Sequence, residues 1–307
     1  MAVMTYTRRQ IVDMLPEYLT KRSAGFGPAR EALMKDAGVS ADVLGTVTTG
    51  LIFVEGDKVR REMYQWRSPY AIKRPTVVDG WSKVVAAGLA EATPDGWRPR
   101  PQGIALAERA QRALRDHLSG LPLPADAVRR AADALERIAE RIPSDARRAA
   151  LARKLRPKSD EPVADILRLN RSAAELWYFR DDCHIRAWQA AGYQGPVFDV
   201  LSHLWSSPPD MQWTKLPGAT SLDQLAKAME QRQERSDVDR AVQALVDRGD
   251  IARDGDSVRL TATGQGSRDA IEDETDRSYF AIWELDDAAT SRLGEDLRAV
   301  IDALPKA

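Results

Sequence analysis

One arrangement occurs twice in this chain: an apolar helix, a glycine stop, a short hairpin and a second glycine. Trp97-Arg98-Pro99-Arg100-Pro101-Gln102-Gly103 aligns, without a gap, with Val258-Arg259-Leu260-Thr261-Ala262-Thr263-Gly264, 161 residues later. The same offset sets Val84-Val85-Ala86-Ala87-Gly88-Leu89 against Leu245-Val246-Asp247-Arg248-Gly249-Asp250. Few positions are identical, so the repeat lies in pattern. A unit of this size recurring in register implies two copies of one supersecondary structure. Upstream, Gly38 matches Gly192 at an offset of 154, so the copies differ in length between the first helix and the hairpin.

The flanking signals fill out each copy. Thr7 with Gln10 forms a capping box that opens a first helix. Gly27-Pro28 restarts the chain into a helix ending near Gly38, and Ser40 caps Ala41 to Leu51. Phe53 to Trp66 is ambiguous, with Gly56-Asp57 as the turn of a small hairpin. Pro75 suits the first position of a helix to about Ala87, whose stop is Gly88. Pro94-Asp95-Gly96 turns a two-stranded hairpin, and a helix follows from Gly103 to about Leu118. Ala125 to Ile142 and Ala146 to Arg156 read as Ala/Arg/Leu-rich helices. Pro157 to Pro162 looks least structured, and Val163 to Ala191 reads as one long helix. The second copy then runs through a helix at Pro196–Trp205 and a Pro-rich loop at Ser207–Gly218. A Ser221/Gln224 capping box, a Ser236-capped helix to Arg248, and a hairpin turned at Asp254-Gly255-Asp256 come next. Helices from Gly264 to about Trp283 and from Asp287 to Leu304 close the chain. The expected organisation is a first module at 1–120, a basic helical linker at 121–162 and a second module at 163–307.

Composition fits a soluble globular protein: 307 residues, 43% hydrophobic, 30% charged. No 18-residue apolar run is present and the N-terminus lacks a signal-peptide core, so neither membrane insertion nor export is expected. The single Cys183 excludes an internal disulfide framework and a multi-cysteine zinc site, which agrees with a reducing cytoplasm. The net charge of −1 conceals an uneven distribution: residues 97–158 hold 15 Lys/Arg against 7 Asp/Glu. Such Arg-rich helices are expected to be solvated faces, with Glu136 and Glu140 paired to Arg137 and Arg141 along the helix.

The order of three helices, hairpin and helix is that of the winged helix-turn-helix. The expected fold is therefore mainly α with small β-hairpins: two winged helix-turn-helix modules joined by a helical linker. The second module resembles a MarR-type transcription factor domain in its long entry helix, Ser236-capped third helix, Asp254-Gly255 wing and long Thr263-Gly264 exit helix. It is also similar to a branch of actinobacterial-type helix-turn-helix proteins with stretches like Glu272-Asp273-Glu274-Thr275-Asp276-Arg277 and Phe179-Arg180-Asp181-Asp182-Cys183-His184. The likeness spans about Val163 to Leu304, and the first module is a degenerate copy. The resemblance implies binding of double-stranded DNA through the third helix and wing, dimerisation through the outer helices, and in many members a small-molecule effector. Duplication would supply the second half of the usual dimer within one chain, giving a monomeric pseudo-dimer or a homodimer of them.

Base and phosphate contacts need cationic and amide donors on the third helices and wings. The first module offers Lys73, Arg74, Thr76, Ser82 and Lys83, opposed only by Asp79, with Arg98 and Arg100 on its wing. The second offers Arg232, Gln233, Arg235, Ser236 and Arg240, interspersed with Glu234, Asp237 and Asp239, with Arg253 and Arg259 on its wing. By this measure the first helix is the better reader, while the acidic second helix and near-neutral charge fit a scaffold without DNA binding. Trp177, Phe179, Trp188 and Trp205 read first as core, and alternatively as the lining of a cleft for a planar aromatic effector. Asp181 and His184 have metal-pair spacing without a further ligand set, so a salt-bridged histidine is the expected reading. Gln231-Arg232-Gln233 resembles the Gln-x-Gln element of alkyl-purine glycosylases, but it falls at a turn. No phosphate loop, nucleophile elbow or carboxylate pair is visible; neither a cofactor nor an enzymatic activity is expected.

Overall fold

The computed structural model describes residues 5–71, 75–154, 163–205 and 219–306, without the side chains of Pro75 and Thr76. The elements run α1 (Arg8–Lys21), α2 (Gly27–Ala37), α3 (Ala41–Gly50), β1 (Val54–Glu55), β2 (Lys58–Arg60), α4 (Arg61–Arg67), α5 (Pro75–Ala86), β3 (Ala90–Thr93), β4 (Gly96–Pro99) and α6 (Pro101–Ser119). Next come α7 (Ala125–Ala139), α8 (Arg147–Arg153) and α9 (Asp165–Ala190). The chain finishes with α10 (Gly195–Leu204), β5 (Ala219–Ser221), α11 (Leu222–Met229), α12 (Arg235–Asp247), β6 (Ile251–Asp254), β7 (Ser257–Leu260), α13 (Ala262–Phe280) and α14 (Asp287–Ala303). The fold is mainly α with two small antiparallel sheets, ordered β1-β2-β4-β3 and β5-β7-β6.

Helix, helix, helix, hairpin, helix occurs twice, and the backbone hydrogen bonds keep the sequence offset. Leu89 N donates to Val84 O and Arg100 N to Leu89 O; 161 residues on, Asp250 N donates to Leu245 O and Thr261 N to Asp250 O. Val59 pairs with Trp97 as Thr220 pairs with Val258. Gly88 and Gly249 both stop their helices in the left-handed region, at φ 72° and 77°, where a side chain is strained. The Gly56-Asp57 turn does carry a small hairpin, β1–β2; its β2 pairs with the open side of the first wing as β5 does with the second, and β5 is the strand that the sequence reading lacked. The reading also lacked α4. Since α3 and α10 are offset by 154 and β2 and β5 by 161, the length difference falls between those elements.

The described chain forms two compact units. Unit 1 comprises residues 1–60, 80–182 and 279–307; unit 2 comprises 61–79 and 183–278. In unit 1, α14 packs on α1 and α7, while α3 packs on α6 through Leu44, Leu106 and Ala110. Trp81 stacks on Trp97 at 5.2 Å. The core of unit 2 gathers Trp188, Phe198, Leu201, Leu225, Val242 and Leu245 from α9 to α12. Val242 and Val258 occupy the positions equivalent to Trp81 and Trp97, so one frame holds two different cores.

Two local expectations are corrected. The third helix of the second copy begins at Arg235, and its N-cap is Glu234, not Ser236; Glu234 N donates to Asp237 Oδ2 at 3.2 Å. Ser236 is an exposed residue in the first turn. Glu136 and Glu140 do not pair with Arg137 and Arg141 as expected; along α7 the pair is Arg129 with Asp126. Glu136 of α7 instead accepts from Arg168 and Arg171 of α9, Arg141 pairs with Glu284, and Arg130 forms a two-point bond to the buried Asp296. The basic run is part of how unit 1 is assembled.

Tyr18 of α1 lies buried in unit 1, and its hydroxyl has no hydrogen-bond partner among the described residues. Burial raises its pKa, against a smaller opposing effect of Arg22. The folded phenol holds its proton to higher pH than the unfolded one. Its contribution is therefore intact below about pH 10 and lost as pH rises above that. Tyr18→Phe is expected to stabilise the protein by about 1 kcal/mol at neutral pH and to flatten the alkaline loss, read by urea unfolding at pH 7 and pH 10.5. A destabilised variant would show that the hydroxyl is solvated.

Candidate nucleic-acid interface

In the second module α10, α11 and α12 form the helical trio, with β6–β7 as the wing. Arg253 and Arg259 stand exposed on those strands. Arg253 Nε donates to Gly255 O at 2.9 Å, a contact that leaves its charge uncompensated. Arg259 makes no ion pair among the described residues. These two are the least encumbered of the described cations in the predicted set, although Asp254 and Asp256 flank the turn.

The α12 face is different. Arg235 reaches both Asp223 and Asp239, whose hydrogen bonds raise its pKa. Arg240 pairs with Asp237. Arg232 places Nη1 2.7 and 2.9 Å from the two oxygens of the buried Asp199. Gln233 is not a reading residue in this structure: it is 1% exposed, and its Nε2 donates to Pro196 O at 3.0 Å. These groups tie the turn before α12 to the start of α10, and the cations that remain on the helix surface sit among carboxylates.

In the first module, Lys73, Arg74 and the side chain of Thr76 lie outside the described residues. Ser82 and Lys83 are exposed on α5. Lys83 Nζ lies 2.6 Å from Asp42, whose pKa it lowers. On the wing, Arg98 Nε donates to Asp57 at 2.7 Å and Arg100 Nε to Glu91 at 3.2 Å. The described cations of this module are thus already engaged with carboxylates. No sequence signal marked this, because Asp42, Asp57 and Glu91 meet their partners only through the fold.

The four aromatic residues proposed for an effector are divided between the two units. Trp177 and Phe179 belong to unit 1; Trp188 and Trp205 belong to unit 2. Phe179 packs on Tyr279 at 5.8 Å, and Trp188 stacks on Phe198 at 5.6 Å. Trp205 lies beneath the guanidinium of Arg268 at 4.1 Å and donates from Nε1 to Asp269 at 2.8 Å. Phe179, Trp188 and Trp205 are core residues, each almost fully buried. His184 Nδ1 lies 3.1 Å from Thr275 Oγ1 and 3.8 Å from Glu272, while Asp181 lies 3.9 Å from Arg148. No group of three or more metal-capable side chains is present among the described residues. Among those residues no helix is long and apolar enough to cross a membrane.

A profile described as a helix-turn-helix family matches residues 74–307, which takes in α5, both wings and the whole second module. No curated protein and no solved structure matches the chain.

Proposed function

Because the chain belongs to a helix-turn-helix family, we propose that it is a DNA-binding transcriptional regulator of MarR type acting as a single-chain pseudo-dimer. The observation that carries this reading is the doubled frame: two third helices and two wings on one polypeptide, with the same hairpin hydrogen bonds at a constant offset. A tandem duplication of an ancestral unit accounts for that offset. Regulators of this shape usually place two such modules on successive half-sites by pairing two chains; here one chain carries both. In this reading the second module leads. Arg253 and Arg259 hold phosphates or the minor-groove edge, and α12 reaches the major groove after its ion pairs exchange. Response to a planar organic effector is part of the proposal.

Salt-titrated binding to duplex genomic fragments tests it. Arg253→Ala with Arg259→Ala is expected to weaken binding about tenfold near 100 mM salt and to lower the slope of log affinity against log salt by about 2, one for each lost phosphate contact. Lys83→Ala should cost much less, since Asp42 already neutralises Lys83. Equal losses from both changes would count against the assignment of roles.

A second reading is a winged-helix interaction module without DNA binding. The ion pairs of Arg235, Arg240 and Lys83 favour it. Absence of measurable binding at low salt would leave this reading standing.

A further inference from the structure

A groove of about 530 Å³ opens on unit 1 between the β1–β2 hairpin, the end of β4 and the outer stripe of α6. The volume lies within the range of small-molecule sites. Its floor is apolar, built by Leu51, Ile52, Val54, Pro99 and Ile104. Ile104 is 38% exposed, one of two large apolar side chains so open among the described residues. It begins a stripe through Glu108, Gln111 and Arg115 along one face of α6, opposite the core residues Leu106, Ala107 and Ala110.

Charge on the rim is unbalanced. Arg112 and Arg115 make no ion pair or hydrogen bond among the described residues. Lys154 lies beside them, its Nζ donating only to the Val54 carbonyl at 3.1 Å. Arg98 is bound to Asp57, which leaves Glu108 as the lining carboxylate facing three available cations. Guanidinium forks suit carboxylate or phosphate oxygens, and an apolar floor adds nothing for a simple inorganic ion. We propose that this groove binds a small organic anion, an apolar body bearing a carboxylate or phosphate, with Arg112 and Arg115 on the head group and Ile104 against the body. The site is separate from the aromatic residues considered above, and the proposal does not require DNA binding. A chain that fails every DNA assay can still pass the test below.

The 307-residue chain is titrated with 1-anilinonaphthalene-8-sulfonate, followed by fluorescence, and the dye is then displaced with octanoate, octyl phosphate, inorganic phosphate or duplex DNA. One saturable site is expected. It should weaken about tenfold in Arg112→Gln/Arg115→Gln, and also in Ile104→Ser, which removes the apolar contact without adding charge and leaves both guanidinium groups. Arg109→Gln, on the same helix but paired with Asp36, should leave it unchanged. Whichever octyl compound displaces the dye at lower concentration identifies the head group. Any of four results overturns the proposal: no saturable binding, equal binding in all variants, inorganic phosphate displacing as well as the octyl compounds, or displacement by duplex DNA instead of by them. The displacement series uses the unmodified chain, so it decides the matter even where a variant folds poorly.

Discussion

Asp182→Ala is expected to cost about 3–5 kcal/mol of stability, the scale for removing one partner of a buried charge pair. Asp182 lies buried on α9, and its carboxylate does the work of a missing cap. Helix α8 has no side-chain cap of its own. Asp182 instead accepts from Arg148 N at 2.9 Å and Ala149 N at 3.1 Å, while Arg148 Nη1 lies 3.0 Å from its other oxygen. Arg148 is itself only 7% exposed. Alanine would remove the principal counter-charge of a buried guanidinium and orphan two backbone donors at a helix start, where negative charge is favoured. Asp181, 3.9 Å from Arg148 Nε, is a weaker substitute. Asp182→Asn, which keeps acceptor capacity but not charge, should lose roughly half as much. Urea unfolding followed by circular dichroism measures both. A loss below about 1 kcal/mol for the alanine variant would mean that α8 is not held this way.

The second large effect is expected at Gly264, with a matching one at Gly103. A β-carbon on Gly264 would lie 2.0 Å from the Asp250 carbonyl oxygen, and one on Gly103 would lie 2.3 Å from the Leu89 carbonyl oxygen. Each carbonyl accepts the N–H that closes its hairpin, from Thr261 or Arg100. Neither can retreat without losing that bond. Alanine at either position should therefore destabilise by about 3 kcal/mol, at the upper end of overpacking costs. Gly266 provides the control: it lies in α13 with nothing within 4 Å of an added β-carbon. Gly266→Ala should stabilise by about 0.5–1 kcal/mol through helix propensity and lost chain entropy. If Gly264→Ala and Gly266→Ala behaved alike, the close approach of α13 to the hairpin would not be the reason for glycine at 264.

Features fixed by local chemistry could be read from residues alone. The Thr7/Gln10 and Ser221/Gln224 capping boxes, the left-handed Gly38, Gly88, Gly192 and Gly249, and the Asp254-Gly255 turn all appear where their side chains or missing side chains require them. Features decided by partners far along the chain could not. The pairing of β2 with β4, and of β5 with β7, runs across dozens of residues. Ser236 is the cap that residue type suggests, yet the helix starts one residue before it, at Arg235, with Glu234 as the N-cap and Asp237 accepting from the Glu234 N–H. The interface suffered most. A list of arginines on helices and wings carries no record of which carboxylates stand opposite, and that record separates Arg259 from Arg98. Gln233 looked like a base reader by type, yet packing turned it inward.

The interleaved make-up of unit 1 bears on biosynthesis. Helix α1 leaves the ribosome early, yet its packing surface on α14 is made only after residue 287. Until α14 has been made, the buried face of α1 lacks one of the surfaces on which it packs, so this unit cannot close before those residues emerge. Nascent chains stalled before α14 are thus the species most exposed to chaperones and proteases.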